Sequence, residues 1–323
     1  MDLQVMLEKC RRDQWKVTDL DWTKKPRPMS KDDEIAIVQY FTDMAEIERL
    51  AGALFKEQER RVQDETLRQI FKTFIVDEIR HAECAQRLAH YYDVHHYREY
   101  DRSDALVKFA PHFLEGIRHL SDDVANAYIT AGELMLDIAL LRSIDDYVAD
   151  GMSAQAMRLI NRDESRHIAV DYHMVEYYAS PAYAEKERQR EAKAPARQRI
   201  RALRTFASVI YYAQPFFRQV FFLPMERVDP SGTRLREAIR RVQLLSNKPG
   251  VAQRPLGKFI LGLQDLYHRP VVGSVFGSIL SRLAGVEPQY LARLNDDAEL
   301  ERARAMTYEQ MAEEALAVKE QGN

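Results

Sequence analysis

The sequence predicts an all-α fold, and three observations carry that expectation. Gly and Pro are scarce, 12 each in 323 residues, while Ala, Leu, Glu and Arg are frequent, a composition that suits helix interiors. No strand-like alternation runs longer than four residues. Apolar positions recur instead at helical spacing: Ile37, Phe41, Met44, Ala51 and Phe55 fall on one continuous face, with Glu48 as its only charge.

The first 30 residues have weak periodicity and contain Pro26 and Pro28, so they read as an extended arm draped over a bundle. Ser30 stands three before Asp33, with Glu34 following; this capping-box-like start opens a helix that should run to about residue 62. A second helix should end near Tyr92. Next comes a stretch with His90, Tyr91, Tyr92, His95, His96, Tyr97 and Tyr100 and a break near Pro111. Its histidine spacing fits no ligand template, so it reads as a polar aromatic connector. Ser121, with Asp122 and Asp123, caps a third long helix, and Gly151 and Ser153 mark the turn into a fourth.

After Ser180-Pro181 the composition shifts. Residues 185–204 hold eight Lys or Arg against three Glu, either a solvated helix face or a docking surface for an acidic carrier or a reductase. From Phe206 the chain turns aromatic, with Tyr211, Tyr212, Phe216, Phe217, Phe221 and Phe222; this is a core helix that could also wall an apolar substrate pocket. Asp229-Pro230-Ser231-Gly232 and Asn247-Lys248-Pro249-Gly250 divide the tail into shorter helices. The expected organisation is an arm over 1–30, a four-helix bundle over 31–180, and a helical extension over 181–323 packed on it.

A net charge of −3 argues against nucleic-acid binding driven by bulk charge. Two cysteines, Cys10 and Cys84, are too few for a disulfide framework and point to a reducing cytoplasm. The N-terminus turns charged within its first ten residues and has no core of signal-peptide length. The most apolar window, about 205–224, contains Gln214, Pro215, Arg218 and Gln219, which suits a buried or groove-lining helix rather than a membrane span.

The chemistry lies in a repeat. Asp77-Glu78-Ile79-Arg80-His81 returns 86 residues later as Asp163-Glu164-Ser165-Arg166-His167. Glu and His three apart share a helix face, so each copy can aim a carboxylate and an imidazole at one point. Two further inward acids are expected, one ahead of each copy. Glu48 fits the first; Glu46 is its rival, but its neighbours Gln39, Thr42, Asp43 and Arg49 form a solvated set. Glu133 fits the second, heading the apolar face of Ile129, Leu136, Leu140 and Ile144. The intervals agree as well: 30 residues from Glu48 to Glu78 and 31 from Glu133 to Glu164.

Four converging buried carboxylates repel one another and each is costly to desolvate. Either most are protonated or cations sit between them, and two divalent ions would balance the four charges. Carboxylate with imidazole suits iron, manganese or zinc and disfavours thiolate-seeking metals. Asp77 and Asp163 are placed to accept the outer N–H of the histidines, with Arg80 and Arg166 able to neutralise them.

On Glu48, Glu78, His81, Glu133, Glu164 and His167, residues 31–180 resemble the ferritin-like di-iron carboxylate proteins. The D-E-x-R-H motifs are similar to those of bacterial multicomponent monooxygenases and, for the second copy, of soluble acyl-carrier-protein desaturases. The resemblance implies a ferritin-like four-helix bundle, a di-iron site that binds O2 and oxidises a substrate, an electron donor such as a reductase or ferredoxin, and crossed pairs in which Asp77 meets His167 and Asp163 meets His81. Ala85 stands where radical-forming ribonucleotide reductase subunits carry tyrosine, and Ile160 where the p-aminobenzoate N-oxygenase group carries a third histidine.

Asp137, four after Glu133, is the candidate catalytic acid, as proton relay or additional ligand, with a salt bridge to a neighbouring helix as the alternative; Asp171, seven after Glu164, raises the same question. The expected function is therefore an O2-activating oxidase or oxygenase with two irons, manganese or a mixed Mn/Fe pair being compatible, acting in the cytoplasm on a small or carrier-bound substrate. A homodimer is compatible, and no nucleic acid or membrane span is expected. Iron storage with ferroxidase activity, and a helical protein with a structural di-metal site, are the alternatives.

Overall fold

Two antiparallel helix pairs, folded face to face, organise the chain. In the computed structural model described for residues 1–269, 277, 279 and 288–320, the first pair is α2 (Lys31–Arg61) and α3 (Glu65–Tyr92). The second is α5 (Asp122–Val148) and α6 (Gly151–Ala179). α2 packs on α3, α5 on α6, and the pairs meet through α2 against α5 and α3 against α6. Among the described residues all regular structure is helical, with no strand, as composition and periodicity led one to expect.

The turns explain the antiparallel pairing. Ser30 caps α2 by accepting from the Asp33 amide at 3.2 Å, and Asp64 caps α3 by accepting from the Leu67 amide at 2.8 Å. Between α5 and α6, Ala149 adopts the left-handed region (φ 47°) and Asp150 caps by accepting from the Met152 amide at 2.8 Å. Glu48 stands as far before the end of α2 as Glu78 stands after the start of α3. Both therefore sit about 20 Å from their shared turn.

On α5, Glu133 stands slightly farther from the helix end than Glu164 does from the start of α6. The surplus falls in a π-helical segment, Met135–Leu141, whose wider turns use more residues for the same rise. Glu133 and Glu164 thereby return to the same depth.

Two apolar clusters flank this depth. One includes Phe41, Met44, Leu88, Leu140 and Ile160; the other includes Leu54, Phe55, Ile70, Phe71, Phe74 and Val170. The acids occupy the slice between them. α5 is long and apolar enough to cross a membrane by composition, but 81% of its most apolar window is buried in the protein, the pattern of a core helix. The side chain of Ile129, expected on its inward face, lies outside the described residues.

Three expectations are corrected. The arm is not wholly extended: Leu3–Arg12 forms α1, capped by Asp2, and it packs Leu7 and Cys10 against the second apolar cluster. The stretch around Pro111 is not a break but the interior of α4 (Asp104–His119). Pro111 faces solvent there, and only one backbone bond is forfeited. Ser121 occupies the cap position of α5, but its side chain makes no capping bond.

Beyond α6 the extension comprises α7 (Pro181–Lys193), α8 (Ala196–Phe217), α9 (Thr233–Ser246) and α10 (Pro249–Ala252). Then follow α11 (Pro255–Tyr267), α12 (Pro288–Leu291), α13 (Asp297–Ala305) and α14 (Tyr308–Glu320). α8 continues through a second π segment, Arg218–Phe222, to Val228. α8 packs on α4, α9 on the π segment of α5, and α14 on α6.

Candidate metal centre

The structure gathers all six expected side chains. Glu48, Glu78, His81 and Glu164 each offer a ligand atom within 4.8 Å of one another, and so do Glu78, Glu133, Glu164 and His167. The two groups share Glu78 and Glu164. Each group could hold a cation, Glu48 and His81 belonging to one group and Glu133 and His167 to the other. All six are buried. The rival Glu46 is half-buried on the outer side of α2, beside Arg49 at 3.3 Å and Arg102 at 3.7 Å.

Most of the donor atoms are close without being aimed at each other, the exception being His167 Nδ1 with Glu164 Oε2 at 2.8 Å. His81 Nδ1 lies 2.9 Å from Glu164 Oε1 and His167 Nδ1 3.1 Å from Glu78 Oε1. Yet His81 Nδ1, both oxygens of Glu48 and Glu78, and Glu164 Oε1 are buried without a well-formed hydrogen bond. Buried polar atoms are ordinarily paired. Atoms that converge on a common point and leave one another unsatisfied are what a ligand set looks like, and the donor set fits iron, manganese or zinc. Cys84 is no competing thiolate, since burial pushes its thiol up to about 12.

The electrostatics agree. Burial, with Glu78 and Glu164 as like-charged neighbours, holds Glu48 well above the carboxylate range. Burial and Glu164 raise Glu78, and burial with Glu164 and Glu78 raises Glu133. Glu164 goes the other way: burial opposes its charge, but His167 and His81 hold it well below. Burial likewise opposes the charged imidazoles, yet Glu164 and the facing aspartates push His81 and His167 well above their usual range. Without cations, protons hold this cluster together, and metal binding would displace them.

Behind the histidines lies a lattice of opposite charges. His81 Nε2 is 3.2 Å from Asp163 Oδ2 and His167 Nε2 3.5 Å from Asp77 Oδ2, so each motif's aspartate faces the other motif's histidine. The Asp163 contact is a hydrogen bond that orients the His81 ring with Nδ1 turned to the cluster, whereas His167 Nε2 stands near Asp77 without a well-formed bond and Nδ1 is the nitrogen that is bonded. Arg80 bonds Asp77 and reaches Asp163 at 3.0 Å; Arg166 reaches Asp163 at 2.6 Å and Asp77 at 3.5 Å. Burial opposes charge on both aspartates, but the histidines hold each below its ordinary range.

Sequence reasoning missed what the arm and α4 contribute. Trp15 Nε1 donates to Asp163 Oδ2 at 2.7 Å, and Gln14 Nε2 donates to Asp77 Oδ1 at 3.1 Å. Phe74 and Phe55 pack on the His167 ring, with centroids at 4.1 and 5.1 Å. On the opposite side, a cavity of about 80 Å³ is lined by Glu48, Glu133, Phe109, Phe113, Phe216 and Phe217 among others. The expected aromatic wall from α8 is thus present, joined by two phenylalanines of α4 whose four-residue spacing was the available signal.

Asp137 is fully buried in the π segment one turn beyond Glu133, but it belongs to neither ligand group. Asp171 is fully buried too, and neither carboxylate oxygen has a hydrogen-bond partner among the described residues. The histidines of the connector stay apart from the cluster: His95 bonds Glu34 at 2.7 Å and His96 faces Asp93 at 3.0 Å, both exposed.

No protein-family model, curated protein or solved structure matches this chain.

Proposed function

We propose that the chain is an O2-dependent non-haem di-iron oxidase or oxygenase, built on a ferritin-like four-helix bundle with added C-terminal helices. One observation carries the reading: the two overlapping ligand groups open, through Glu48 and Glu133, onto an apolar cavity walled by phenylalanines. A structural site needs no such cavity.

Two iron ions bound there would supply the electrons that reduce O2 and the oxidising power passed to the substrate; manganese or a mixed pair fits the same donors. The protein's own contributions follow from position. Glu78 and Glu164, which belong to both groups, would hold both cations. His81 and His167 would hold the cations through Nδ1, with Asp163 bonded to the outer nitrogen of His81 and Asp77 facing that of His167 at 3.5 Å. Phe109, Phe113, Phe216 and Phe217 exclude water from the side where Glu48 and Glu133 meet the substrate. Asp137, buried in the first turn beyond Glu133, is the acid we assign to proton relay.

The exposed basic run on α7 and the start of α8 is the surface we assign to the electron donor or an acidic carrier. A cytoplasmic setting is supported by Cys10 and Cys84, both free and buried.

Anaerobic loading with Fe(II), metal analysis, then mixing with O2 tests the proposal. Two irons per chain, O2 consumption and an optical change are expected. A loaded protein that binds iron but neither consumes O2 nor changes spectrum refutes it in favour of a structural site. Assembly into a large closed shell that accumulates ferric iron would move the chain to storage; a monomer or homodimer is expected.

A further inference from the structure

The cavity beside the ligand cluster does not end at its aromatic wall. Phe217, one of its lining residues, also lines a second cavity of about 170 Å³, slightly larger than one that takes a benzene ring. Both follow one helix. α5 presents Asp123, Ala127, Ala131 and Met135 to the outer cavity and Gly132, Glu133 and Leu136 to the inner one. A Cβ built on Gly132 would meet nothing within 4 Å. From Asp123 to Glu133 is ten residues, about 15 Å of helix.

The outer cavity is apolar except at the end farthest from Glu133. Asn126 is committed to Gln58, accepting at 2.9 Å, and Ser246 donates to the Val242 carbonyl at 2.8 Å. That leaves Asp123 and Arg254. Asp123 is 8% exposed, and one of its carboxylate oxygens has no hydrogen-bond partner among the described residues. Arg254 donates to the carbonyls of Tyr178 and Ser180 at the end of α6 and lies 5.1 Å from the Tyr183 ring centre, with no carboxylate paired to it among the described residues. Because α5 and α6 are antiparallel, the start of one and the end of the other bring these two groups to the same mouth.

We propose that the outer cavity binds an elongated apolar substrate with a neutral, hydroxyl-like head. The head lies between Asp123 and Arg254, the chain runs along α5, and its far end passes Phe217 to reach Glu48 and Glu133. An uncharged head follows from the opposed charges: a hydroxyl donates to Asp123 and accepts from Arg254, whereas an ionic head would meet a like charge on one side. A chain follows from the shape, because the outer cavity runs along α5 from Asp123 to Met135 while Glu48 and Glu133 line only the inner one. Phe217 is the residue that lines both chambers, two residues after Pro215 and just before the π segment Arg218–Phe222. The assignment of the far end as the oxidised end rests on the proposed function; the binding does not.

Calorimetric titration of the full chain with straight-chain 1-alkanols, from hexanol to dodecanol, tests this. Affinity should tighten about fourfold per added methylene. Dodecanol should bind at least tenfold better than dodecanoate or dodecylamine. Ala131→Phe and, from the facing helix α9, Val242→Phe should each weaken dodecanol at least tenfold while keeping the helical circular dichroism of the parent. Affinity that ignores chain length, or that survives both fillings, overturns the cavity assignment; tighter binding of either ionic probe overturns the head. The measurement needs no metal. Failure to bind alkanols with iron binding intact therefore sinks this inference alone, and loss of iron chemistry with alkanol binding intact sinks the di-iron reading alone.

Discussion

The indole N–H of Trp15 donates to Asp163 Oδ2 at 2.7 Å, and the same oxygen stands 3.2 Å from His81 Nε2 and 3.0 Å from Arg80 Nη2. Trp15 also lies over the Arg80 guanidinium at 5.1 Å and stacks on His81 with centroids 6.4 Å apart. A residue of the N-terminal arm thus fixes the carboxylate that orients one proposed ligand. The arm is part of the site and not a cover over it.

Trp15→Phe keeps a ring in place and removes the N–H. Asp163 retains Arg80, Arg166 and His81, so the fold should survive with a loss of about 1.5–3 kcal/mol, the range for a hydrogen bond to a charged group. The histidine loses its anchor, and metal affinity should fall about 10–100-fold. Chelator competition on the parent and the variant reads this directly. Equal affinities would mean that the arm contributes packing alone.

What was legible in the sequence follows from how far each contact reaches along the chain. Glu78 with His81, and Glu164 with His167, are one helical turn apart, and Glu48 and Glu133 sit alone on apolar faces; periodicity exposes such features, and all six converge in the structure. Trp15 and Gln14 reach Asp163 and Asp77 across 148 and 63 residues from a segment without a repeat. The π segment of α5 has no compositional mark, since Met135 to Leu141 would suit an ordinary helix equally well. Pro111 misled because a proline on a solvent-facing side need not end a helix, and this hid Phe109 and Phe113 from the aromatic wall.

Gly52 marks the closest approach of α2 and α3 at the site. A Cβ built there would lie 3.2 Å from the Glu78 Cβ, tight enough to push that side chain by a few tenths of an ångström. In a helix interior Ala is favoured over Gly by about 1 kcal/mol, so Gly52→Ala should leave the melting temperature of the metal-free chain unchanged or slightly raised. Metal affinity should fall because Glu78 belongs to both ligand groups. Calorimetric melting beside chelator competition would show the two quantities moving apart; a parallel change in both would mean that α2 and α3 simply separate to accept the methyl.

Asp171 offers a pH-dependent test of the buried slice. Burial, with Glu164 and Glu78 adding to it and His167 opposing, pushes its carboxyl well above the ordinary range. An unfolded aspartate titrates near about 3.9, so above that pH the folded chain holds a proton that the unfolded chain has lost. Stability from this group is complete below the unfolded value and declines as pH rises through the folded one. Asp171→Asn removes the titration while keeping the shape, and neither oxygen forfeits a hydrogen bond to a described residue. In the metal-free chain the variant should therefore melt higher than the parent at pH 8, and the gap should close near pH 4. Glu48, Glu78 and Glu133 impose slopes of the same sign, but they are present in both proteins and largely cancel in the difference. A variant that melts lower than the parent at pH 8 would show that Asp171 is ionised in the fold and held by a positively charged neighbour such as His167.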